Sequence, residues 1–172
     1  MTAGAGGPGG ADGSDERLEA LIAAMEAKGY IPDPITTWKA VLRDVPRHAF
    51  VPERGWVTQG TSTFTPYAID RAARPDQWEE AGYADAAIVT QADDGATDPA
   101  TGQGQATSSL SALSGVLYNL GFLDLDDDHS VLEIGAGTGY TAALTARRVG
   151  AGGRVVTVEI DPEVAKQAEH NL

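Results

Sequence analysis

The chain has 172 residues, enough for one domain with a sizeable core, and its 42% hydrophobic and 22% charged content is ordinary for a globular protein. Its 25 acidic against 12 basic residues give a net charge of −13, which argues against binding to a nucleic-acid backbone. We expect no membrane association, because no apolar run approaches the length of a membrane-spanning helix. The absence of cysteine rules out disulfides and thiol catalysis and fits the cytoplasm.

The N-terminal part predicts a tail followed by two helices. Residues 1–14 are mostly Gly, Ala and Pro, a composition that predicts a disordered tail. A helix is predicted over 16–28 and ends at Gly29, with an apolar stripe made of Leu18, Leu21, Ile22 and Met25. A second helix is predicted to start at Pro34 and to end before Pro46. We assign residues 15–129 to a helical and substrate-loop region.

Residues 56–104 are rich in Gly, Pro and acidic side chains, with only short apolar islands. This pattern predicts a long loop, which we expect to cover a substrate. The run Asp93-Asp94-Gly95 predicts a solvated turn. We predict no metal site there, because the spaced oxygen ligands and closing Glu of a calcium loop are absent.

The stretch 102–113, GQGQATSSLSAL, runs into apolar residues at helical spacing, which predicts a helix that ends at Gly121. Thr107, Ser108 and Ser109 are expected at its start. Their hydroxyls and the free N–H groups of a helix start could together bind a carboxylate. Helix capping is the alternative interpretation, and it needs only one of the three.

Residues 130–161 have the order strand, glycine turn, helix, strand. The predicted strands are 131–134 and 155–160, and the predicted helix is 140–149. Gly135, Gly137 and Gly139 lie in the turn, where a sharp bend lets a ligand approach the backbone. The pattern predicts the first half of a Rossmann unit.

Two features of this unit indicate its ligand. The third glycine comes one residue earlier than in a dinucleotide fingerprint, with Tyr140 in its place. Glu133, two residues before Gly135, could attract a cationic ligand, and Glu159 follows Gly135 by 24 residues. That spacing is close to the roughly 20 residues expected for a carboxylate that holds ribose hydroxyls. A glycine-rich turn with surface acids is the competing interpretation.

The acid, the GxGxG loop and the strand-end Glu resemble the first motifs of the S-adenosylmethionine-dependent methyltransferases. The strings VPRHAFVPE at 45–53 and GQGQATSS at 102–109 are similar to segments of the protein-L-isoaspartate O-methyltransferases. The resemblance covers roughly 31–161. It implies a Rossmann-like α/β fold with an N-terminal helical and irregular extension. It also implies methyl transfer from S-adenosylmethionine to an Asp or isoaspartate carboxylate of a peptide or protein, with S-adenosylhomocysteine as product.

The resemblance also implies three sets of site residues. The catalytic pair is Ser108 and Thr107. The substrate residues are Tyr83, Asp85, Gln105 and Ser109. The cofactor residues are Glu133, Gly135, Gly137, Thr138, Gly139, Tyr140, Glu159 and Ile160. Ala106, Leu110 and Ser111 depart from the family pattern. No general base is needed, because a carboxylate is already a nucleophile.

Three alternatives stay open at this point. The strings YADAAIVTQ and TSS also resemble actinobacterial-type relatives of ribosomal peptide pathways, in which methylation of Asp leads to aspartimide. A dedicated peptide-modifying enzyme is therefore an alternative to protein repair. A nucleotide-dependent oxidoreductase and a non-catalytic peptide-binding module are the others.

Only two Rossmann strands are predicted, which would leave an open parallel edge. We therefore expect residues 130–172 to be the start of an incomplete core. The chain would then be truncated after its second Rossmann strand, or it would take further strands from another chain.

Overall fold

The computed structural model describes residues 13–58 and 65–172. Most of the predicted tail, residues 1–12, lies outside the described residues, whereas Gly13 and Ser14 belong to the first helix. No helix in the described ranges is long and apolar enough to cross a bilayer.

Two helices open the described chain, as predicted. Helix α1 spans Gly13–Ala27 and helix α2 spans Ile35–Asp44. The apolar stripe of α1 is buried along its whole length and packs into the main core. Helix α2 follows Pro34 and stops before Pro46, because proline cannot supply the N–H that would continue the helix. The chain then makes a short 3₁₀ turn, Arg47–Phe50.

A four-stranded antiparallel sheet follows, and the prediction of a long loop over 56–104 was wrong. The strands are β1 (Arg54–Thr58), β2 (Tyr67–Asp70), β3 (Ala87–Ala92) and β4 (Ala106–Leu110), in the order β2-β1-β3-β4. Helix α3, Pro75–Gly82, connects β2 to β3. Each strand has only four to six residues. Such short runs gain their stability from pairing with distant residues and from one buried face, neither of which a local pattern records.

The predicted helix at 107–121 begins later than expected. Ser108 and its neighbours form β4, paired with β3, and helix α4 starts only at Leu113 and ends at Phe122. The pairing of Leu110 with Ile88 buries both side chains, which favours a strand over a helix start here. The hydroxyl groups therefore project from a strand.

The Rossmann pattern is confirmed. Strand β5 (Ser130–Ile134), helix α5 (Tyr140–Val149), strand β6 (Arg154–Val158) and helix α6 (Pro162–Asn171) follow in order. Strands β5 and β6 are parallel and in register from Ser130↔Arg154 to Ile134↔Val158. The side chains of Val131 and Val155 are half-buried, whereas alternate residues such as Ile134, 83% exposed, lie on an open face.

One core joins the helices, the antiparallel sheet and α5. Tyr140 and Leu144 of α5 belong to the same buried cluster as Trp38 of α2 and Leu117 of α4. The Tyr140 ring packs against Phe50, with ring centroids 5.1 Å apart. This packing holds the start of α5 beside the 3₁₀ turn and so fixes the glycine loop relative to the antiparallel sheet.

A buried arginine ties the 3₁₀ turn to the sheet. Arg47 is 0% exposed, and its guanidinium donates hydrogen bonds to five backbone carbonyls, those of Ala81, Gly82, Ala84, Ala86 and Ser111. Burial lowers the pKa of Arg47 to about 10, so the group stays charged at neutral pH. The entry to β3 and the exit of β4 are thereby held together.

Candidate active site

A cleft of about 700 Å³ lies between the antiparallel sheet and the glycine loop. Its walls come from the 3₁₀ turn and the start of β1, from α3, from the facing strands β3 and β4, and from the glycine loop with α6. Residues from these walls include His48, Arg71, Trp78, Thr90, Gln91, Ser108, Gly137, Thr138, Glu163 and Asn171. The cleft brings part of the predicted catalytic set and part of the predicted cofactor set together.

The glycine loop lies directly against β4. Gly137 has a φ of +55°, and a Cβ atom built there would be 3.4 Å from the Ser109 carbonyl oxygen and 3.9 Å from the Ser108 hydroxyl. Gly139 has a φ of +85°, and its Cβ would lie 3.2 Å from the Ala168 carbonyl of α6. The positive φ values favour glycine at both positions, and at Gly139 the Ala168 carbonyl also leaves little room for a side chain. The loop therefore brings bare backbone to the cleft.

Glu159 fixes this loop through backbone hydrogen bonds. Its Oε2 accepts from the Gly137 N–H at 3.2 Å, and its Oε1 accepts from the N–H groups of Ile160 and Asp161 at 2.8 and 3.2 Å. Burial alone would raise the pKa of Glu159, but the hydrogen bonds from Asp161, Gly137 and Ile160 outweigh it and lower the pKa. The carboxylate is thus held charged at the end of β6.

Glu133 is different, because its carboxyl group lacks such support. Its Oε2 is buried and has no hydrogen-bond partner among the described residues. Burial raises the pKa of Glu133, and the neighbouring Thr157 offsets this only in part. A buried carboxylate without a partner is costly, and a cation beside it would remove that cost. The group therefore fits a positively charged ligand at the end of β5.

Three other residues predicted for the cofactor have different surroundings. The Thr138 side chain is buried, and its carbonyl accepts a hydrogen bond from Asn171 Nδ2 at 2.9 Å. Tyr140 is buried in the core, where desolvation raises the pKa of its hydroxyl. Ile160 is 98% exposed. Thr138 lines the cleft, whereas Tyr140 anchors the base of α5 against the core.

The predicted catalytic hydroxyls are held by β3. Ser108 Oγ accepts a hydrogen bond from Thr90 Oγ1 at 3.1 Å. Thr107 Oγ1 donates to Gln91 Oε1 at 2.9 Å and accepts from the Asp94 N–H at 3.2 Å. Ser108 is half-buried and lines the cleft, whereas Thr107 is exposed at its edge. Each hydroxyl thus has a partner on β3 that fixes its direction.

The residues predicted for the substrate are less concentrated. Ser109 contributes its carbonyl beside Gly137, and Gln105 is exposed, with its N–H donating to Asp93 Oδ1 at 2.8 Å. Tyr83 lies behind the cleft, where its hydroxyl is 2.7 Å from His48 Nδ1. Asp85 accepts a hydrogen bond from the Ser114 N–H in the first turn of α4 at 2.9 Å. The structure therefore places Asp85 as a helix cap, away from the cleft wall.

Several cleft residues carried no recognisable signal in the sequence. Thr90 and Gln91 lie in a strand that was predicted as loop, so nothing placed them opposite Ser108. Trp78 donates its indole N–H to the Pro52 carbonyl at 2.6 Å, and the Arg71 guanidinium lies 4.5 Å from the Trp78 ring centroid. Both members of this cation–π pair line the cleft.

Two features define the class of the protein. A strand leads through a GxGxG loop into a helix, and an acidic residue lies at the end of each parallel strand. It is an α/β protein with the start of a Rossmann-like methyltransferase fold. The family model described as Protein-L-isoaspartate(D-aspartate) O-methyltransferase matches residues 66–172, and the chain belongs to this family.

Individual relatives agree with the family match. The chain is 30% identical to the protein-L-isoaspartate O-methyltransferase of Methanococcus aeolicus, over 91% of this chain and 55% of the relative. It is 34% identical to that of Methanopyrus kandleri, over 90% and 51%. A solved protein-L-isoaspartate O-methyltransferase structure is similar with a TM-score of 0.60 and 26% identity, over 90% of this chain and 37% of the other. The chain spans about half the length of the curated relatives it matches.

Proposed function

We propose that the chain carries the carboxylate-binding wall and the glycine loop of an S-adenosylmethionine-dependent carboxyl methyltransferase. Its substrate would be an Asp or isoaspartate side chain in a peptide or protein. The observation that carries this proposal is the closeness of Gly137 to the Ser108 hydroxyl, since a Cβ atom built on Gly137 would lie 3.9 Å from Ser108 Oγ. A hydroxyl that can bind a carboxylate and a loop that can bind the methyl donor share one cleft.

The residues at the strand ends fit the cofactor. Glu133 would offer to the ammonium of the methionine moiety a carboxyl group whose Oε2 has no partner among the described residues, and Glu159 would offer a charged carboxylate to ribose hydroxyls. The bare backbone of Gly137 allows close approach of the ligand. When bound, S-adenosylmethionine supplies a methyl group on a sulfonium centre, which is an electrophile.

The acceptor carboxylate needs little chemical activation. It is already a nucleophile, so the protein has to orient it, exclude water and keep its reacting oxygen in line. Ser108 Oγ is fixed by the Thr90 hydroxyl and is available as a donor, because it accepts rather than donates in that bond. The Ser108 O–H would therefore hold one carboxylate oxygen and leave the other free to react.

The cleft has the size of a peptide side-chain site. Its volume of about 700 Å³ lies within the range of typical small-molecule sites. Arg71 stacks on Trp78 and pairs with Glu53 Oε1 at 2.8 Å in the cleft lining, and this mixed aromatic and charged surface suits the peptide that flanks the reacting side chain. The partner is accordingly a peptide or protein rather than a free amino acid.

A methyl-transfer assay with a matched peptide pair tests this proposal. The protein at its natural full length is incubated with S-adenosylmethionine and two peptides that differ only in Asp or isoaspartate, and the products are read by mass spectrometry. We expect a gain of one methyl group on one peptide, followed by loss of methanol as the succinimide closes. Modification of the isoaspartate peptide alone favours repair, and modification of the Asp peptide alone favours biosynthesis.

The variant Ser108→Ala shows whether Ser108 acts as proposed. We expect the rate to fall by about tenfold to hundredfold, the effect of losing one oriented donor to a charged group. Ser130→Ala is the matched control, because Ser130 is exposed at the start of β5. An unchanged rate in Ser108→Ala would contradict the role of Ser108. Absence of binding to S-adenosylhomocysteine by calorimetry would contradict the methyltransferase proposal itself.

A further inference from the structure

The pairing between β3 and β4 is irregular at the cleft. Val89 pairs with Ser109, but the next pair is Gln91 with Ser108, so Thr90 is an extra residue on β3. Bulges of this kind occur frequently beside active sites, because they redirect side chains. Here the bulge lets the consecutive residues Thr90 and Gln91 both line the cleft, whereas a regular strand would point them to opposite faces.

A second irregularity follows immediately. After the pair Gln91↔Ser108 comes Ala92↔Ala106, so Thr107 is an extra residue on β4. The Gln91↔Ser108 pair is therefore flanked by one unmatched threonine on each strand. The hydroxyls of these threonines form cross-strand hydrogen bonds, from Thr90 to Ser108 and from Thr107 to Gln91.

The Gln91 amide links this pair to the Rossmann unit. Its Oε1 accepts from the Thr107 hydroxyl, and its Nε2 donates to Asp161 Oδ2 at 2.9 Å. The other carboxylate oxygen of Asp161 accepts from the N–H groups of Glu163 and Val164 and so caps α6. One side chain thus joins a strand of the antiparallel sheet to the first turn of α6.

The same short segment also holds the glycine loop. Glu159 lies two residues before Asp161 and accepts the Gly137 N–H. A shift of Asp161 relative to Gln91 would therefore move Glu159, and with it the loop that faces Ser108. The Gln91–Asp161 hydrogen bond therefore contributes to the position of the loop opposite Ser108, in addition to the packing of Tyr140 against Phe50.

We propose that Gln91 is a positioning residue that sets the distance between the carboxylate-binding hydroxyls of β4 and the glycine loop. This inference rests on the proposed function and adds to it a residue that holds the two reactants in line. A primary amide suits this place at neutral pH, because its N–H group donates to a carboxylate while its oxygen accepts from a hydroxyl. Nothing in the proposed chemistry requires Gln91 to touch either reactant.

Two variants of Gln91 test the proposal in the protein at its natural full length. Gln91→Leu removes both hydrogen bonds, and Gln91→Glu keeps the shape but turns the donor into a second acceptor that faces Asp161. We expect kcat to fall by about tenfold to hundredfold in Gln91→Leu, in line with the cost of misplacing reactants by about 1 Å. The KM for the peptide should change far less, because the residues that touch it are intact.

The pH profile of Gln91→Glu separates positioning from a general loss of structure. When the introduced carboxyl is protonated it can donate to Asp161 again, so the deficit in kcat relative to wild type should shrink as the pH is lowered. The other titratable groups that line the cleft are His48, Glu53, Glu163 and His170, and Asp93, Asp94 and Glu159 lie on the adjoining segments. These groups are common to both proteins, whereas Asp161 shares the added proton with the introduced carboxyl, and a proton on either group restores the hydrogen bond. Gln103→Glu is the matched control, since Gln103 is an exposed glutamine that does not line the cleft.

The outcomes discriminate between the two proposals. Wild-type protein that neither binds S-adenosylhomocysteine nor methylates a peptide refutes the proposed function. Active wild type together with a Gln91→Leu variant within twofold of its kcat refutes the role of Gln91 alone. If Gln91→Leu fails to fold, the profile of Gln91→Glu decides, and a deficit that is constant with pH and equal to that of Gln103→Glu overturns the inference.

Discussion

The two walls of the cleft, the glycine loop of the Rossmann unit and strands β3 and β4 of the antiparallel sheet, differ in the groups that they expose. The Rossmann wall, called here the backbone wall, exposes main-chain atoms: its glycines have positive φ, and its N–H groups donate to Glu159. The sheet wall presents side chains, in which Thr90 and Gln91 on one strand orient the hydroxyls of Ser108 and Thr107 on the other. The first wall depends on the absence of side chains and the second on their hydrogen bonds.

This difference predicts how each wall responds to substitution. A Cβ on the backbone wall changes the backbone conformation itself, so its effect should be abrupt. Loss of one hydroxyl or amide on the sheet wall removes one or two hydrogen bonds and leaves the backbone conformation in place, so its effect should be graded. The following predictions test this contrast, from the largest expected effect to the smallest.

The largest effect is expected for Gly137→Ala. At a φ of +55° an L-residue is strained, although the new Cβ would only be in ordinary van der Waals contact with the Ser109 carbonyl at 3.4 Å. We expect binding of S-adenosylhomocysteine, measured by calorimetry, to weaken by about tenfold, because the strain of roughly 1–2 kcal/mol at this φ disfavours the conformation in which the loop binds the ligand. Gly115→Ala is the control: Gly115 is exposed on α4 with open space around it, so alanine should stabilise the helix by about 0.5–1 kcal/mol. Equal binding in the two variants would contradict the distinction between the walls.

A smaller effect is expected for Thr90→Val. Valine keeps the shape of the side chain but cannot donate to Ser108 Oγ. The loss of one hydrogen bond, worth about 1 kcal/mol, should lower kcat about fivefold and leave the affinity for the cofactor unchanged. Thr90→Ser, which keeps the hydroxyl, should restore most of the rate. A Thr90→Ser variant as slow as Thr90→Val would show that packing, and not the hydrogen bond, matters here.

The walls also differ in how far the sequence predicts them. The glycine loop and α5 can be predicted from local patterns. The three glycines lie within residues 135–139, and the helical spacing of apolar residues lies within α5 itself, 140–149. The sheet wall depends on pairing between strands that are far apart in sequence. Neither the bulge at Thr90 nor the partnership of Gln91 with Ser108 has a local signature, so this region was predicted as a loop.

The sequence indicates the candidate site residues by their types and motifs, but it does not indicate the tertiary contacts that position them. Ser108 was selected through a family-like motif although its secondary structure was predicted wrongly, because the motif depends on residue types and not on the element. Tyr140 was selected for its place after the third glycine, but the core contact with Phe50 determines its position. Asp85 was selected by its motif too, and its side chain caps α4. Placement of the last two depended on tertiary contacts that spacing does not encode.

The smallest effect is a pH dependence carried by Glu159. Its pKa is lowered in the folded protein, so the backbone hydrogen bonds stabilise the fold above the ordinary pKa of 4.5 and lose this contribution as the pH falls through the lowered value. Glu159→Gln cannot change its charge, so the difference in unfolding free energy between wild type and Glu159→Gln should shrink as the pH is lowered below 4.5. Urea unfolding over this pH range measures it, with Glu169→Gln, an exposed change on α6, as the control. A difference that is constant with pH would mean that Glu159 holds the glycine loop equally well without its charge, and the backbone wall would then rest on geometry alone.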